Sequence, residues 1–522
     1  MTSNQIPRLV PIQMIADESG TLGVVEDIGG EPISFERFYF FASLQPGARR
    51  GGHAHKKLRQ VFVVFRGSVK IDIKSSTESY SFHLISNDQA LVLPAGYWRD
   101  LYDFSPDALV GVIASDKFDE ADYIRDWDAF VDWDRAQRHT DIPYLDLSRY
   151  SSIIGTRVIN AISEVVSSGP LIGGPEVERF EAAFAAYCGV SDAVGIGNGL
   201  QALTLALRAA DIGEGREVIL PANTFIATAL AVIEAGAKPV LVDVEETTGL
   251  IDMTAVEMAI NDSTGAIIPV HLYGHPCDMD RLSEIVGTRP ILILEDAAQA
   301  HGALYKGRRC GALGHAAAFS FYPTKNLGAV GDAGCVTTND PALAARIRLL
   351  GNYGTRRKYE HLEIGTNSRL DPVQAAALNV KLPYLENFNA RRVEHADIYL
   401  RRLQNLPGLS LPHVHEWARP VWHVFPVRVA ADIRQDFLSY LASNGIGTNI
   451  HYPTPIHLQP CFSSMGLGQG SFPISEKLSE QLVSLPLDAT HTTAEIERVV
   501  EVVRTFCLGV RRSESGPLVL TM

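Results

Sequence analysis

The first 115 or so residues alternate short runs of β-branched and aromatic residues with turns. The runs are RFYFFASL, QVFVVF, VKIDI, YSFHLI, ALVLPAG and LVGVIAS, and no stretch with a helical period separates them. Closely spaced short strands of this kind are typical of an all-β sandwich or barrel. Two of the runs flank Arg66-Gly67-Ser68, so we expect them to pair as a hairpin over residues 61–73.

From residue 151 the pattern changes to helical periods that alternate with short apolar runs. EVERFEAAFAAYCG and LQALTLALRAADIG have the helical period, whereas EVILPA, PVLVDV, GAIIPVHLYG and ILILEDAA have the composition of buried strands. This alternation predicts a mostly parallel sheet with helices on both faces. Beyond about residue 385, mixed helices and strands indicate a smaller α+β subdomain.

A charged, aromatic stretch, FDEADYIRDWDAFVDWDRAQRHTD, separates the two patterns, and we expect it to be helical. The chain is therefore multidomain. We place an all-β domain at residues 1–137 and an α/β domain at 138–522. The second divides into a large part at about 151–385 and a small part at about 386–510.

Composition and charge restrict the classes of partner. The chain has 522 residues, of which 46% are hydrophobic and 20% charged, with a net charge of -14. An acidic globular protein of this kind predicts no nucleic-acid or membrane partner. The six cysteines form no Cys-x-x-Cys pair, and the first twenty residues lack the pattern of a signal peptide, so we expect a cytoplasmic, soluble protein.

His53 and His55 lie two residues apart at the start of a strand, so their imidazoles face the same side of the sheet. Such a pair serves either a metal site or proton transfer. The cupin metal motifs, Gly-x5-His-x-His-x4-Glu-x6-Gly and Pro-x-Gly-x2-His, place Gln60 at the glutamate and Arg99 at the last histidine. Two of four ligands are missing and one is replaced by a permanent cation, so we expect no metal.

The strings RGGHAHKKLRQ, DFSPDA and ASDKFDEADYIRDWDAF resemble the cupin-fold nucleotide-sugar 3,4-ketoisomerases that act on dTDP-4-oxo-6-deoxyglucose. The resemblance covers nearly all of residues 5–135 and implies a jelly-roll barrel with metal-free chemistry. It implies that His53 removes the C3 proton and that His55 assists or orients. Histidine suits this work because its ordinary pKa is about 6.5. The candidates for substrate binding are Arg50, Tyr39 and Arg99.

In the second half, Asp296 ends the apolar run ILILE, and Lys325 lies in SFYPTKNLGAVGDAGC before a glycine-rich turn. Sheets of this class bind ligands at the carboxyl ends of their strands. A carboxylate there and a lysine in a loop of small residues are what a pyridoxal 5'-phosphate (PLP) site needs. The lysine bonds to the cofactor, and the carboxylate keeps the pyridine nitrogen protonated.

Longer strings around this pair resemble the DegT-type sugar aminotransferases, which are fold-type I PLP enzymes, from residue 141 to about 508. Among them are GIGNGLQALTLAL, LPANTFIATALAVIEAGA, EDAAQAHGA and NSRLDPVQAA. The resemblance implies Lys325 as the cofactor-bound lysine and general base, Asp296 at the pyridine nitrogen and Gln299 at the phenolic oxygen. Family members that act as dehydratases carry histidine in place of this lysine, so Lys325 favours transamination.

The resemblance also implies further contacts. The implied cofactor contacts are Gly199 and Leu200 at the phosphate, where a helix start favours anions, Ser320 with its hydroxyl, Phe225 on the ring, and Asn367, which reaches the phosphate of a neighbouring subunit. His451 and Tyr452 match positions that line the sugar pocket. A site completed by Asn367 implies a homodimer or a higher homo-oligomer.

The two resemblances together imply consecutive steps. dTDP-4-oxo-6-deoxyglucose is isomerised to its 3-oxo isomer and then aminated at C3, with L-glutamate as donor, to give dTDP-3-amino-3,6-dideoxyhexose, a sugar class of lipopolysaccharide or S-layer glycans. Family members that form the galacto product tend to carry histidine where this chain has Arg99, so we expect the gluco product. The alternatives are that the barrel is an epimerase or a non-catalytic sugar-binding module.

Overall fold

The computed structural model describes residues 7–17, 20–24, 36–45, 47–76, 78–86, 89–138, 142–512 and 518–520. The chain folds as two compact units, an N-terminal unit of residues 1–140 and a C-terminal unit of residues 141–522. Within the described segments, no helix is both long enough and apolar enough to cross a membrane.

The N-terminal unit is built of antiparallel strands. They are β1 (Arg8–Pro11), β2 (Gln13–Asp17), β3 (Gly20–Val24), β4 (Arg37–Phe41), β5 (Arg50–His55), β6 (Gln60–Arg66), β7 (Ser68–Lys74), β8 (Ser79–Ile85), β9 (Gln89–Leu93), β10 (Trp98–Tyr102), β11 (Leu109–Ala114) and β12 (Tyr123–Ile124). A 3₁₀ helix at Glu120–Asp122 precedes β12, and α1 (Trp127–Arg138) follows it.

Ten of these strands form two five-stranded sheets, in the orders β1-β9-β6-β11-β4 and β12-β5-β10-β7-β8, and β2 pairs with β3. The core lies between the two sheets. Alternate residues of β7, namely Val69, Ile71 and Ile73, are fully buried and belong to one cluster with Phe62 and Val64 of β6. The predicted all-β fold is therefore confirmed.

The predicted hairpin over residues 61–73 is wrong. β6 and β7 are consecutive but pair in different sheets, β6 with β9 and β11, and β7 with β8 and β10. Gly67, with φ of 73°, turns the chain from one sheet to the other, and a Cβ there would overlap the side chain of Ser105. Because both strands contribute apolar side chains to one interior, they must face each other across it.

The predicted helix after residue 117 is correct only in its second half. α1 begins at Trp127, whereas Tyr123 and Ile124 add a short strand to the edge of β5. This strand matters because it places Tyr123 opposite His55.

The C-terminal unit has a seven-stranded sheet and several small ones. Its strands are β13 (Asp192–Ile196), β14 (Glu217–Pro221), β15 (Lys238–Val242), β16 (Thr264–Ile267), β17 (Leu292–Asp296), β18 (Leu304–Tyr305), β19 (Arg308–Arg309), β20 (Ala316–Ser320), β21 (Gly334–Thr338), β22 (Thr355–Arg357), β23 (Glu360–His361), β24 (Leu409–Ser410), β25 (Ala418–Arg419), β26 (Phe425–Val429), β27 (Leu482–Leu485), β28 (Val510–Arg512) and β29 (Leu518–Leu520).

Its α-helices are α2 (Ser148–Tyr150), α3 (Thr156–Ser168), α4 (Pro175–Cys188), α5 (Gly199–Ala209), α6 (Ala227–Glu234), α7 (Met253–Ala259), α8 (Met279–Val286), α9 (Pro341–Gly351), α10 (Pro372–Lys381), α11 (Leu385–Arg402), α12 (Arg434–Ser443), α13 (Pro473–Gln481) and α14 (Thr493–Gly509). One π-helical turn spans Ser151–Gly155, and short 3₁₀ helices span Leu272–Gly274, Leu382–Tyr384, Ile456–Leu458 and Pro460–Met465.

The large sheet has the order β13-β21-β20-β17-β16-β14-β15. Only β21 runs against its neighbours, so the sheet is mostly parallel, as predicted. Both faces are covered. Ala316 and Ala318 of β20 belong to the apolar cluster that contains α5, while Ala317 and Phe319 belong to the cluster that contains α4. The carboxyl ends of the parallel strands are left for ligands.

Beyond residue 385 the chain forms the predicted α+β part. The antiparallel sheet β24-β26-β27 packs with α11, α12 and α14 around one cluster, which includes Phe425, Phe437 and Val499. The start of the unit is attached to this part, because Ile142 belongs to the same cluster and Tyr150 donates a 2.7 Å hydrogen bond to Asp488. Buried Arg392 completes that contact at 2.6 Å from the same carboxylate oxygen.

Candidate functional sites

In the N-terminal unit, His53 of β5 lies directly opposite Arg99 of β10. Arg99 Nη2 is 2.8 Å from His53 Nε2, and Arg99 Nη1 donates to the His53 carbonyl oxygen at 3.2 Å. His53 Nδ1 lies 2.9 Å from the carbonyl oxygen of Gly51. Since a guanidinium only donates and a carbonyl only accepts, these contacts assign the proton to Nδ1 and leave Nε2 as the acceptor.

A glycine bulge in β5 creates this geometry. The register between β5 and β10 shifts at Arg99 and Asp100, and both Gly51 and Gly52 have positive φ, at 90° and 67°. The bulge turns the Gly51 carbonyl towards His53. A Cβ on Gly51 would overlap the Arg99 carbonyl oxygen, whereas a Cβ on Gly52 would be 3.9 Å from its nearest neighbour, Asp100 Oδ1.

His55 is buried beside His53, with ring centroids 5.2 Å apart. Its Nδ1 lies 2.9 Å from Asp122 Oδ2, but the two groups are not aligned as a hydrogen bond. The ring of Tyr123 is 4.2 Å from that of His55 and 4.8 Å from that of His53. Tyr123 and Asp122 were missed from sequence because their segment has the composition of a helix.

The other predicted residues of this site separate into two groups. Tyr39 lies on the inner side, where it accepts a hydrogen bond from buried Gln60. Arg50 is exposed, and its guanidinium donates to the Arg49 carbonyl oxygen at 3.3 Å. Two arginines outside the predicted set lie near the histidines. Arg37 lies over the ring of Tyr39, and Arg125 lies over the ring of Tyr123.

The surroundings keep both histidines neutral. Burial, reinforced by the positive charge of Arg99, lowers the pKa of His53 to about 4 and that of His55 to about 2. Burial also lowers the pKa of Arg99 to about 10 and raises that of Tyr39. At neutral pH the site therefore presents an unprotonated imidazole next to a guanidinium that remains charged.

In the C-terminal unit, a cleft of about 660 Å³ opens at the carboxyl ends of the parallel strands. Every predicted residue of the second site except Asn367 lines it. The lining includes Gly199, Leu200, Phe225, Asp296, Gln299, Ser320, Lys325, His451 and Tyr452. The sheet topology brings these residues together from positions more than 250 residues apart in the chain.

Asp296, the last residue of β17, is buried at the base of this cleft. Its Oδ2 accepts a 2.8 Å hydrogen bond from Thr228 Oγ1, and its Oδ1 accepts one from the Ala298 N–H at 3.2 Å. Burial raises the pKa of Asp296, and the Thr228 hydrogen bond opposes this. A pyridinium placed against the carboxylate would favour its charged form. No sequence pattern indicates that Thr228 contacts Asp296.

Lys325 follows β20 and lines the same cleft. Burial lowers the pKa of its amine to about 8, while Asp296 raises it. An amine with such a pKa is partly unprotonated near neutral pH, so it can act as a nucleophile and move a proton.

Gln299 and the aromatic residues shape the cleft above Asp296. Gln299 Oε1 accepts from the Tyr273 N–H at 2.6 Å, and its Nε2 donates to Tyr452 Oη at 3.0 Å. The Tyr452 ring lies 5.6 Å from the half-exposed ring of Phe225. His451 Nδ1 is 2.8 Å from Ser484 Oγ, and burial lowers its pKa to about 4.

The start of α5 fits a phosphate. Asn198 caps the helix by accepting from the Gln201 N–H at 2.9 Å. Gly199 and Leu200 begin the helix, so their N–H groups have no partner within it, and both residues line the cleft. A Cβ on Gly199 would lie 2.8 Å from Ser320 Cβ, so only glycine allows this approach. With a buried carboxylate and an amine in one cleft, the donor set fits PLP.

Asn367 lies outside this cleft. It is exposed and forms an isolated bridge with Asn352. The expectation that it serves a neighbouring subunit stays a prediction.

One further cluster could hold a metal ion by composition, namely His271, Glu295 and Cys310. Its hydrogen bonds assign it a structural role. Glu295 accepts from His271 Nε2 at 2.9 Å and from the backbone N–H groups of Gly311, Leu313 and Gly314 at 2.8 Å each. Burial keeps Cys310 protonated by raising its pKa. The carboxylate is thus fully used without a cation.

Two protein-family models match the chain. Residues 152–504 match the DegT/DnrJ/EryC1/StrS aminotransferase family. Residues 5–135 match the family described as WxcM-like, C-terminal. Together the two matches cover the C-terminal cleft and the histidine site of the N-terminal unit.

Two known transaminases are similar over most of their length. The dTDP-3-amino-3,4,6-trideoxy-alpha-D-glucose transaminase of Streptomyces venezuelae is 48% identical over 365 residues, 70% of this chain and 96% of the relative. The dTDP-3-amino-3,6-dideoxy-alpha-D-galactopyranose transaminase of Aneurinibacillus thermoaerophilus is 48% identical over 365 residues, 70% of this chain and 99% of the relative.

A solved structure supports the cofactor assignment. The crystal structure of NtdA from Bacillus subtilis with bound cofactor PMP is 31% identical, covers 70% of this chain and 84% of that one, and has a TM-score of 0.66. PMP is the amino form of PLP, so the similarity agrees with the donor set of the cleft.

Proposed function

Since the chain belongs to the DegT/DnrJ/EryC1/StrS aminotransferase family, we propose that it makes a dTDP-3-amino-3,6-dideoxyhexose from dTDP-4-oxo-6-deoxyglucose in two steps. The N-terminal unit moves the ketone from C4 to C3, and the C-terminal unit replaces it with an amine. One observation carries the proposal: a single chain combines a neutral, partly buried histidine in a WxcM-like unit with a lysine and a buried carboxylate in an aminotransferase cleft.

The C-terminal unit is a PLP-dependent sugar aminotransferase. When bound, PLP supplies an electron sink for the carbon that exchanges its proton. In our proposal Asp296, oriented by Thr228, holds the pyridine nitrogen protonated. Lys325, with its pKa lowered to about 8, takes and returns the proton at the reacting carbon.

We assign the other cleft residues to binding the cofactor and orienting the sugar. We assign the N–H groups of Gly199 and Leu200, with Ser320, to the phosphate, and Phe225 to the ring face. Gln299 is fixed by Tyr273 and Tyr452, so its amide can face the phenolic oxygen. His451 and Tyr452 then line the sugar side of the cleft.

The substrate class follows from the relatives. Both transaminases described above carry dTDP-3-amino sugars in their names, which supports a dTDP-3-oxo sugar as substrate and a 3-amino sugar as product. L-Glutamate is the amino donor that we propose. Neither a nucleic acid nor a membrane has a role in this reaction.

The isomerase step is assigned to His53 as base, with His55 beside it. The hydrogen bonds of His53 leave Nε2 as the acceptor, and burial keeps it unprotonated at neutral pH. Once substrate displaces the Arg99 N–H group from Nε2, a base in this state can remove the C3 proton. Tyr39 and Arg99 lie on the same inner surface, whereas Arg50 would have to reorient from its contact with Arg49 to join them.

For the C4 configuration we propose gluco. Family members that form the galacto product tend to carry histidine at the position of Arg99, and a guanidinium is a poor proton donor, so the acid of those members is absent here. In the gluco ring H3 and H4 lie on opposite faces, so the C4 proton must arrive on the face opposite the one from which His53 removes H3, and we propose water as its donor. NMR of the aminated sugar tests this, because a large diaxial coupling between H3 and H4 supports gluco and a small one supports galacto.

The test of the isomerase assignment uses the full chain without amino donor, in deuterated buffer. We expect dTDP-4-oxo-6-deoxyglucose to become the 3-oxo isomer with deuterium at C4. Deuterium incorporation without ketone migration would mean an epimerase, and an unchanged sugar would mean a non-catalytic binding module. Either result leaves the aminotransferase assignment intact and contradicts the two-step proposal.

A further inference from the structure

Arg99 is a buried cation without a carboxylate partner among the residues that the structure describes. Its side chain is 3% exposed, and both of its polar contacts are to His53. Asp122 lies nearby, but its oxygens accept from the N–H groups of Lys57 and Leu58 and approach His55. Burying a charge without a counter-ion is costly, so such a cation is retained where an anion forms.

The guanidinium of Arg99 lies against the histidine nitrogen that would bind a metal in the cupin pattern. In the cupin pattern the first histidine and the residue at position 99 both bind the ion. Here Arg99 Nη2 lies 2.8 Å from the Nε2 of His53, on the lone pair that a metal would take. Gln60, at the position of the glutamate ligand, donates to Tyr39 instead. His53 and Arg99, which occupy the first and last ligand positions of the motif, are thus still in contact.

We propose that Arg99 replaces the cupin metal as the electrophile of the site and binds the enediolate formed during ketone migration. The proposal rests on the isomerase function proposed above. A guanidinium presents two parallel N–H donors that match two neighbouring oxygens. The O3 and O4 atoms of a planar enediolate are such a pair, so one side chain can face both.

The bound substrate first takes over the Arg99 N–H group that the free enzyme donates to His53 Nε2, which frees this nitrogen to act as the base. The step then balances with one water molecule as the proton carrier. His53 Nε2 takes the proton from C3, the C–H electron pair forms the C3=C4 bond, and the carbonyl pair of C4 moves to O4. The O3 proton then passes to O4, the C3=O3 bond forms, and water on the opposite face gives a proton to C4, while the hydroxide that forms takes the proton from His53. Negative charge lies on O4 first and on O3 later, and Arg99 donates to both.

The first test is kinetic, on the full chain with PLP. Arg99→Met should lower kcat for ketone migration about 10²–10³-fold, the usual cost of losing an oxyanion donor, and Arg99→Lys should recover part of it. In Arg99→Ala, added guanidinium should restore a measurable rate. Arg66→Met, which removes an exposed arginine of β6, is the matched control and should keep the wild-type rate.

Far-UV circular dichroism and thermal unfolding of the full chain report whether the N-terminal unit of each variant is folded, and amination of a supplied 3-oxo sugar reports that the C-terminal unit is intact. If Arg99→Met keeps the wild-type kcat, or raises KM alone, Arg99 does not stabilise the enediolate and the proposal is overturned. If the wild type itself does not move the ketone, the proposed function fails instead, which distinguishes the two failures.

The second test is independent of isomerase activity. The double variant Gln60→Glu/Arg99→His restores the four cupin ligands and should retain one Zn²⁺ per chain after incubation with zinc chloride and desalting, measured by atomic emission against the wild type as baseline. A double variant that keeps the circular dichroism and thermal unfolding of the wild type but retains no more zinc would show that position 99 does not reach the metal position. That result would also overturn the proposal.

Discussion

At the residue scale, the protonation state of His53 decides when the N-terminal unit can act. Burial and Arg99 lower its pKa to about 4, so the proton is lost at lower pH than from an ordinary histidine and the basic form persists through pH 5–7. We therefore expect kcat/KM for ketone migration to fall only as the pH approaches 4, rather than near 6.5. A profile from initial rates of deuterium exchange checks this.

A substitution of His53 tests its role as the base directly. His53→Asn should lower ketone migration about 10²–10⁴-fold, the usual contribution of a positioned base. Amination of a supplied 3-oxo sugar should be unchanged, because that chemistry lies in the C-terminal unit. Isomerisation by this variant at the wild-type rate would place the base elsewhere.

In the cleft of the C-terminal unit, Lys325 is the residue whose substitution tests the assigned chemistry. Lys325→Ala should abolish amination, because the variant lacks both the cofactor-bonding amine and the proton carrier, and ketone migration should continue. Purified wild type should show the visible absorbance of lysine-bound cofactor, and the variant should lose it. Retained transamination by the variant would refute the assignment.

At the scale of elements, the bulge in β5 offers a test with an internal control. Gly51→Ala places a Cβ against the Arg99 carbonyl oxygen, whereas Gly52→Ala makes only an ordinary contact with Asp100, although both positions have positive φ. Gly51→Ala should displace His53 and lower ketone migration at least tenfold, while Gly52→Ala costs only about 1 kcal/mol of backbone strain. Equal isomerase activity in the two variants would argue against the role of the bulge.

The elements also show what sequence patterns could predict. The alternation of β7 and the helical periods of α4 and α5 are local, and the structure agrees with them. Pairing is not local: β6 and β7 have the composition of a hairpin, yet each packs its apolar face into the interior from a different sheet. For the same reason β12, a two-residue strand in a charged stretch, was predicted as helix, and Tyr123 was missed.

For the candidate sites too, local patterns could be predicted from sequence, whereas contacts between distant residues could not. Asp296 and Lys325 stand out because each sits in a distinctive local string, and the parallel sheet brings them to one edge. Thr228 orients Asp296 from a helix 68 residues away, and only the fold reveals that contact. Arg99 was noted as a missing metal ligand, but its hydrogen bond to His53 depends on a register shift that no sequence pattern indicates.

At the scale of the whole molecule, the C-terminal unit exposes apolar side chains and has one predicted cofactor residue outside its own cleft. α3 exposes Ile159 and Val166 to more than 60%, and Asn367 is exposed and outside the cleft of its own chain. Exposed apolar patches of this kind mark interfaces. We expect a homodimer at minimum by sedimentation, and we expect Ile159→Asp to dissociate it and lower amination. A fully active monomer would contradict this prediction.

The central claim is that one chain performs both steps in order. The most direct measurement is NMR of the sugar formed when the full chain is incubated with dTDP-4-oxo-6-deoxyglucose, PLP and L-glutamate. We predict a single amine at C3 and a hydroxyl at C4. An amine at C4 would mean that the aminotransferase acts on the 4-oxo sugar directly and that no ketone migration precedes it, which would contradict the account.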